Sequence, residues 1–237
     1  MDEDYSQRRR DVEAVFKRSV RDRQKTKRSV SLSGKFELTI DTYSTGENTW
    51  EFTRGIVRRA GSGKTIADVK RNYSNFWHSW VQHANGNEYL LCGEDYQGQT
   101  VVNLTKGDTY TYFPKAGHGG FGFCWLAAFP SPDSTVIAVD GCYWACPYEI
   151  VFFDFTTPDD LPYREYLRLG DLADSDGWLN NDAFKFTQEI EVRKSDGRPY
   201  EELSEAEQDQ LDSNEESGEY VERDVIVTRE QILRSGG

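Results

Sequence analysis

Glu94 and Asp95 stand side by side in CGEDYQGQ, residues 92–99, with Tyr96 next to them. FWHSW, residues 76–80, brings Trp77, His78 and Trp80 one predicted strand earlier. Carboxylates beside aromatic platforms suit sugar binding or acid–base hydrolysis, where one carboxyl group protonates a leaving group and a second acts as base or nucleophile. Adjacent strand residues point to opposite faces, so Glu94 and Asp95 are not themselves such a pair. The second carboxylate on this reading is Asp140, with His78 in support. The competing explanation is that acids at strand ends bond nearby backbone N–H groups and stabilise turns. No serine lies in a nucleophile-elbow pattern.

The four cysteines, Cys92, Cys124, Cys142 and Cys146, offer a second chemistry. A structural zinc site takes four ligands, commonly in two close pairs, and here only Cys142 and Cys146 are close. The alternative is that each thiol is a small apolar residue on or beside a buried strand. After Cys146 the sequence PYEIVFFDF is apolar on both alternating faces from Ile150 to Phe153, the pattern of a strand covered on both sides. Tyr143 and Trp144, between the two cysteines, are candidate binding aromatics with Trp77, Trp80 and Tyr96. His118, in the glycine-rich KAGHGGFGF of residues 115–123, is a further candidate. His78 and His83 are five residues apart, so an ordinary strand places them on opposite faces and away from a common metal. GSGKT, residues 61–65, resembles the end of a phosphate loop, but Arg58 holds the place of its first glycine and a strand follows, so a hairpin turn is expected.

The elements that must position these residues follow from periodicity. Val12, Val15, Phe16 and Val20 form one narrow apolar stripe, which predicts a helix over residues 4–28. Residues 1–30 form a basic amphipathic segment, with ten Lys or Arg against six Asp or Glu. From Ser31 the texture changes to short alternating runs. SLSGKFELTI, QHANGNEYLLC, FPSPDSTVIAV and WLNNDAFKFTQEI each place a polar turn before a β-rich strand, and their aligned positions Lys35, Asn87, Ser134 and Asp182 are 52, 47 and 48 residues apart. A recurring period of this size marks a repeat architecture. Residues 201–222 hold ten acids and no Lys or Arg, so they are expected to form a mobile acidic insertion with a short helix at LSEAEQDQL. YVERDVIVTREQIL then returns as a strand to the last sheet.

SPDSTVIAVDG followed by YEIVFFDF resembles the second and third strands of a WD40-like β-propeller blade. The resemblance spans residues 31–190. It implies an all-β fold in which an N-terminal helix precedes a propeller-like domain, residues 31–237, of about four blade-like repeats of short antiparallel strands, closed or open. No blade carries the Gly-His start or the Trp-Asp end of that family.

Composition bounds the function. The 237 residues carry a net charge of −13, and the excess of acid lies entirely after residue 30. An acidic body repels nucleic acid and anionic membranes, so neither is an expected partner. No apolar run approaches a membrane span, and the first residues lack the apolar core of a secretory signal, which predicts a cytoplasmic protein with free thiols. The leading expectation is a non-catalytic protein-interaction module of propeller type, with another protein as partner and no cofactor. The carboxylate hydrolase and the four-cysteine metal site are its alternatives.

Overall fold

The four aligned turns each precede the second strand of a separate antiparallel sheet. The computed structural model describes residues 3–114, 122–143, 146–214 and 217–235. Helix α1, Glu3–Phe16, leads into the first sheet, made of β1 Val20–Val30, β2 Phe36–Ser44, β3 Phe52–Arg59 and β4 Thr65–Arg71. The second sheet holds β5 Ser79–Gln82, β6 Glu88–Cys92, β7 Gln99–Asn103 and β8 Asp108–Tyr112. The third holds β9 Phe123–Pro130, β10 Val136–Tyr143, β11 Glu149–Asp154 and β12 Glu165–Leu169. The fourth has three strands, β13 Leu172–Trp178, β14 Ala183–Arg193 and β15 Gly218–Thr228, and is followed by α3 Arg229–Arg234. Between β14 and β15 lies α2, Glu205–Asp212.

Strand alternation explains how the sheets meet. In β6, Leu90 enters a core shared with Leu38, Val57 and Val69 of the first sheet. Its neighbours Tyr89 and Leu91 point the other way, into a core shared with Val139, Val151 and Phe153 of the third sheet. In β11, Ile150 and Phe152 leave that core for another, with Phe184, Phe186 and Val227 of the fourth sheet. Strands of period 2 with apolar residues on both faces are what sheets covered on both sides require. The apolar run after Cys146 is therefore a central strand, as its sequence predicts.

The ring implied by the WD40-like resemblance is not formed. Among the described residues no strand of one sheet pairs with a strand of another. Among the described residues neither a strand pairing nor a core cluster joins the first sheet to the fourth. The architecture is all-β, but it consists of four small, separate antiparallel sheets in series with flanking helices, not an interlocked propeller. The 47- to 52-residue period is the length of one strand meander with its connection. It carries no information about the rotation from one sheet to the next, and that rotation decides whether a ring closes.

The turns ahead of β2, β6 and β10 share one geometry. The N–H groups of Gly34, Gly86 and Ser134 donate to the carbonyls of Ser31, His83 and Ser131 at 2.9, 3.0 and 2.8 Å. All three residues have positive φ, at 72°, 84° and 61°, a region that glycine enters freely and serine does not. Ser134 is held there by its neighbours. Its Oγ accepts from Ala84 N at 3.2 Å, and His83 Nε2 lies 3.0 Å from its carbonyl and 2.9 Å from that of Phe155. Ser33 Oγ donates to Glu88 at 2.6 Å, and Asp133 N donates to Asn181 Oδ1 at 3.0 Å. Successive turns are thus clipped to one another along one rim of the series.

Helix α1 stops at Phe16 and residues 20–30 form an edge strand, so the helix expected over 4–28 is half helix and half strand. Val20, the last member of the predicted stripe, is 73% exposed. The acidic stretch 201–222 contains the predicted short helix as α2. Ser204 and Glu207 close a capping box there, Leu203 and Leu211 are buried, and Arg193 and Arg198 converge on Asp196 and Glu207. GSGKT is the β3–β4 hairpin turn, with Gly61 and Gly63 at positive φ. No helix among the described residues is long and apolar enough to cross a membrane.

Candidate functional site

The carboxylates proposed for hydrolysis do not converge. Glu94 is bonded by Arg9 of α1 at 2.7 Å. Asp95 is buried and accepts from Gln97 N at 2.9 Å and from Asn72, with Arg8 3.7 Å away. Burial raises its pKa, against the pull of those partners. Asp140 lies on β10 of the third sheet, where burial and then Asp174 push it up to about 6. His78, lowered by burial, stands 3.4 Å from the Phe76 carbonyl. Glu94 and Asp95 are absorbed in docking α1, together with Lys70 and Glu13, which pair at 2.6 Å. This removes the hydrolase reading.

The four-cysteine metal site is not formed either. Among the described residues no three His, Cys, Asp or Glu side chains gather where they could hold a metal ion. Cys92 is buried in the core between the first two sheets, where desolvation drives its thiol up to about 12. Cys146 is exposed, and Cys142 lies between it and Cys124, its cross-strand partner on β9.

The structure instead opens a cleft of about 300 Å³ where the first three sheets come together, at the rim opposite the clipped turns. Three connections build it. The end of β4 carries Arg71, and the segment after it carries Tyr73 and then Trp77 leading into β5. The β6–β7 turn carries Tyr96. The start of β9 and the end of β10 carry Trp125, Cys124 and Cys142, with Tyr148 just before β11. The walls are aromatic: Trp77 and Trp125 lie 5.7 Å apart between ring centres, Tyr73 and Tyr96 5.8 Å.

Arg71 is 3% exposed, yet no carboxylate of the described residues comes within ion-pair distance of it. Its Nε donates to Asn75 O at 2.7 Å, and its Nη1 donates to Gly93 O at 2.7 Å and Asp95 O at 2.9 Å. The guanidinium therefore pins two connections through their backbones. Gly93 is required at this point, because a Cβ there would meet Arg71 Nη1 at 2.7 Å and the carbonyls of Asp95 and Gly98 at 2.8 Å. Among the described residues Nη2 has no acceptor, so two of the five N–H donors are unspent. Burial lowers Arg71 to about 10, against the pull of Cys92 and Asp95, so it is charged at neutral pH. Trp77 and Trp125 add buried Nε1 donors that likewise lack a partner among the described residues.

Of the binding residues expected from sequence, Trp77 and Tyr96 line this cleft. Trp80 turns to Ser29 Oγ at 2.7 Å, and Tyr143 packs on Phe123 and under Arg168. His118 and Trp144 lie outside the described residues. Sequence reasoning missed Arg71, Tyr73, Trp125 and Tyr148. Arg71 closes the run TIADVKR, where a basic residue at a strand end reads as solvated. Only the crossing of two connections over it makes it buried.

A β protein of serial three- and four-stranded antiparallel sheets with an aromatic cleft around a buried arginine is the class that this fold and site define. The chain belongs to the same family as the uncharacterized protein R762 of Acanthamoeba polyphaga mimivirus. The two are 32% identical over 181 residues, 71% of this chain and 69% of that protein. No family model matches the chain.

Proposed function

We propose that this protein is a small-molecule-binding domain whose cleft takes an anion carried on a planar, aromatic body. The observation that carries the proposal is Arg71: a buried guanidinium without a carboxylate partner among the described residues, with two unspent donors on an aromatic-walled cleft. A buried charge is expensive unless paired, and an anionic ligand supplies the missing pair. Stacking on Tyr73, Tyr96 and Tyr148 accounts for the planar body. A second charged cavity, about 70 Å³ beneath α1, has its Arg9–Glu94 and Lys70–Glu13 charges already matched within the protein.

The test uses anilinonaphthalene sulfonate and its uncharged relative N-phenyl-1-naphthylamine, with dye fluorescence and quenching of Trp77 and Trp125 as readouts. The sulfonate is expected to bind about tenfold more tightly than the neutral dye, the scale of one charged hydrogen bond. Tyr148→Ala, at the exposed edge, is expected to weaken the sulfonate without unfolding the chain. Arg71→Lys, which keeps the charge but loses the fork, is expected to narrow the preference. Equal affinity for both dyes, or binding indifferent to Tyr148→Ala, overturns the proposal.

A further inference from the structure

Cys124 and Cys142 are Cα partners across the antiparallel β9–β10 pairing, so their side chains leave the same face of the sheet. Both line the cleft. Directly opposed residues of an antiparallel pair have Cβ atoms about 4.5–5.5 Å apart, and a disulfide needs about 3.8 Å, so a small adjustment joins them. The strands permit it at this place. The pairing is irregular between Asp140 and Gly141, and Gly141 takes the crowded position where any Cβ would strike the Cys124 carbonyl at 2.2 Å. Cys92, buried in the other core, and the exposed Cys146 supply internal comparisons.

We propose that Cys124 and Cys142 form a reversible dithiol–disulfide site on the cleft wall, oxidised by a small disulfide such as glutathione disulfide. One thiolate attacks a glutathione sulfur, forming a mixed disulfide and releasing one glutathione. The second attacks the cysteine sulfur of that mixed disulfide, forming the Cys124–Cys142 bond and releasing a second glutathione. Two electrons pass from the protein to the oxidant, and the two thiol protons leave with the two glutathione molecules. Burial raises both thiols, Cys124 to about 11, while the Arg71 charge draws Cys124 down. The reaction is therefore slow at neutral pH and accelerates about tenfold per pH unit as the thiolate fraction grows. The arrangement is independent of what the cleft binds, so failure of the naphthalene sulfonate test leaves it standing.

The experiment incubates the reduced full chain with excess glutathione disulfide and maps the products by proteolysis and mass spectrometry. The expected result is a peptide linked through Cys124 and Cys142, two hydrogens lighter than the sum of its parts, restored by dithiothreitol. Cys146→Ser is expected to keep that link. Cys142→Ser is expected to abolish it and leave Cys124 as a thiol or a glutathione adduct. Unlinked Cys124 and Cys142 in a sample whose Cys146 has reacted overturn the proposal. So does a link that runs from Cys142 to Cys146 and disappears in Cys146→Ser.

Discussion

Asp140 illustrates how a single side chain sets a pH dependence. Its Oδ1 is buried without a partner among the described residues, and burial followed by the nearby Asp174 raises its pKa from 3.8 to about 6. The folded state therefore holds this proton more tightly than the unfolded chain does. Stability falls as pH rises from about 4 to about 6, and the unfavourable contribution is complete above that range. The full shift corresponds to ~3 kcal/mol, and solvent screening of this part-exposed group reduces it to about 1 kcal/mol. Asp140→Asn is expected to be more stable than the parent by about that amount at pH 7 and equal to it at pH 4, as urea unfolding at the two values will measure. An ionised, well-partnered Asp140 would reverse the result, with Asn the less stable at pH 7.

At the scale of elements, α1 shows which forces dock a helix. Its ion pairs join Arg9 to Glu94 and Glu13 to Lys70, and they tie the helix to the first and second sheets together. All four groups are partly exposed, and such pairs contribute about 0–1 kcal/mol each. Phe16 packs edge-on against Tyr43 and Phe52 at 5.0 and 6.1 Å. Phe16 is half-buried, so its ring contributes part of the ~1.5–3 kcal/mol that full burial gives, and unlike the charges it is not screened by salt. Phe16→Ala is thus expected to expose α1 to limited proteolysis, whereas Arg9→Ala or added salt leaves it protected. Loss of protection on adding salt alone would show that charge holds the helix.

The same elements show what the sequence made legible. The repeat period located β2, β6, β10 and β14, and the apolar run after Cys146 located β11, because alternation and turn chemistry are local. The strand β1 was misread because Val12, Val15, Phe16 and Val20 fit a helical period. Yet Arg21, Arg23, Lys25 and Lys27 recur at every second residue, a strand period visible in their charges. Ring closure was not legible, since it depends on rotations between sheets that no local pattern encodes. The cleft was half legible. Trp77 and Tyr96 stand out by type, but Arg71 becomes a site residue only when two connections distant from it cross over its guanidinium.

Across the whole molecule the four sheets couple through shared cores and clipped turns rather than a closed ring. His83 is the clip most deeply placed: from the second sheet it reaches the carbonyls of Ser134 and Phe155 in the third. His83→Ala leaves those carbonyls unpaired and is expected to cost about 1–3 kcal/mol in urea unfolding. An unchanged midpoint would mean that water replaces the ring without loss. The clips all lie along one rim, and the cleft opens at the other. Between the first and second sheets the cleft rim is fastened as well, by Arg71 on the Gly93 and Asp95 carbonyls and by the α1 ion pairs, so a ligand that enters there meets a mouth already set rather than leaves that must part.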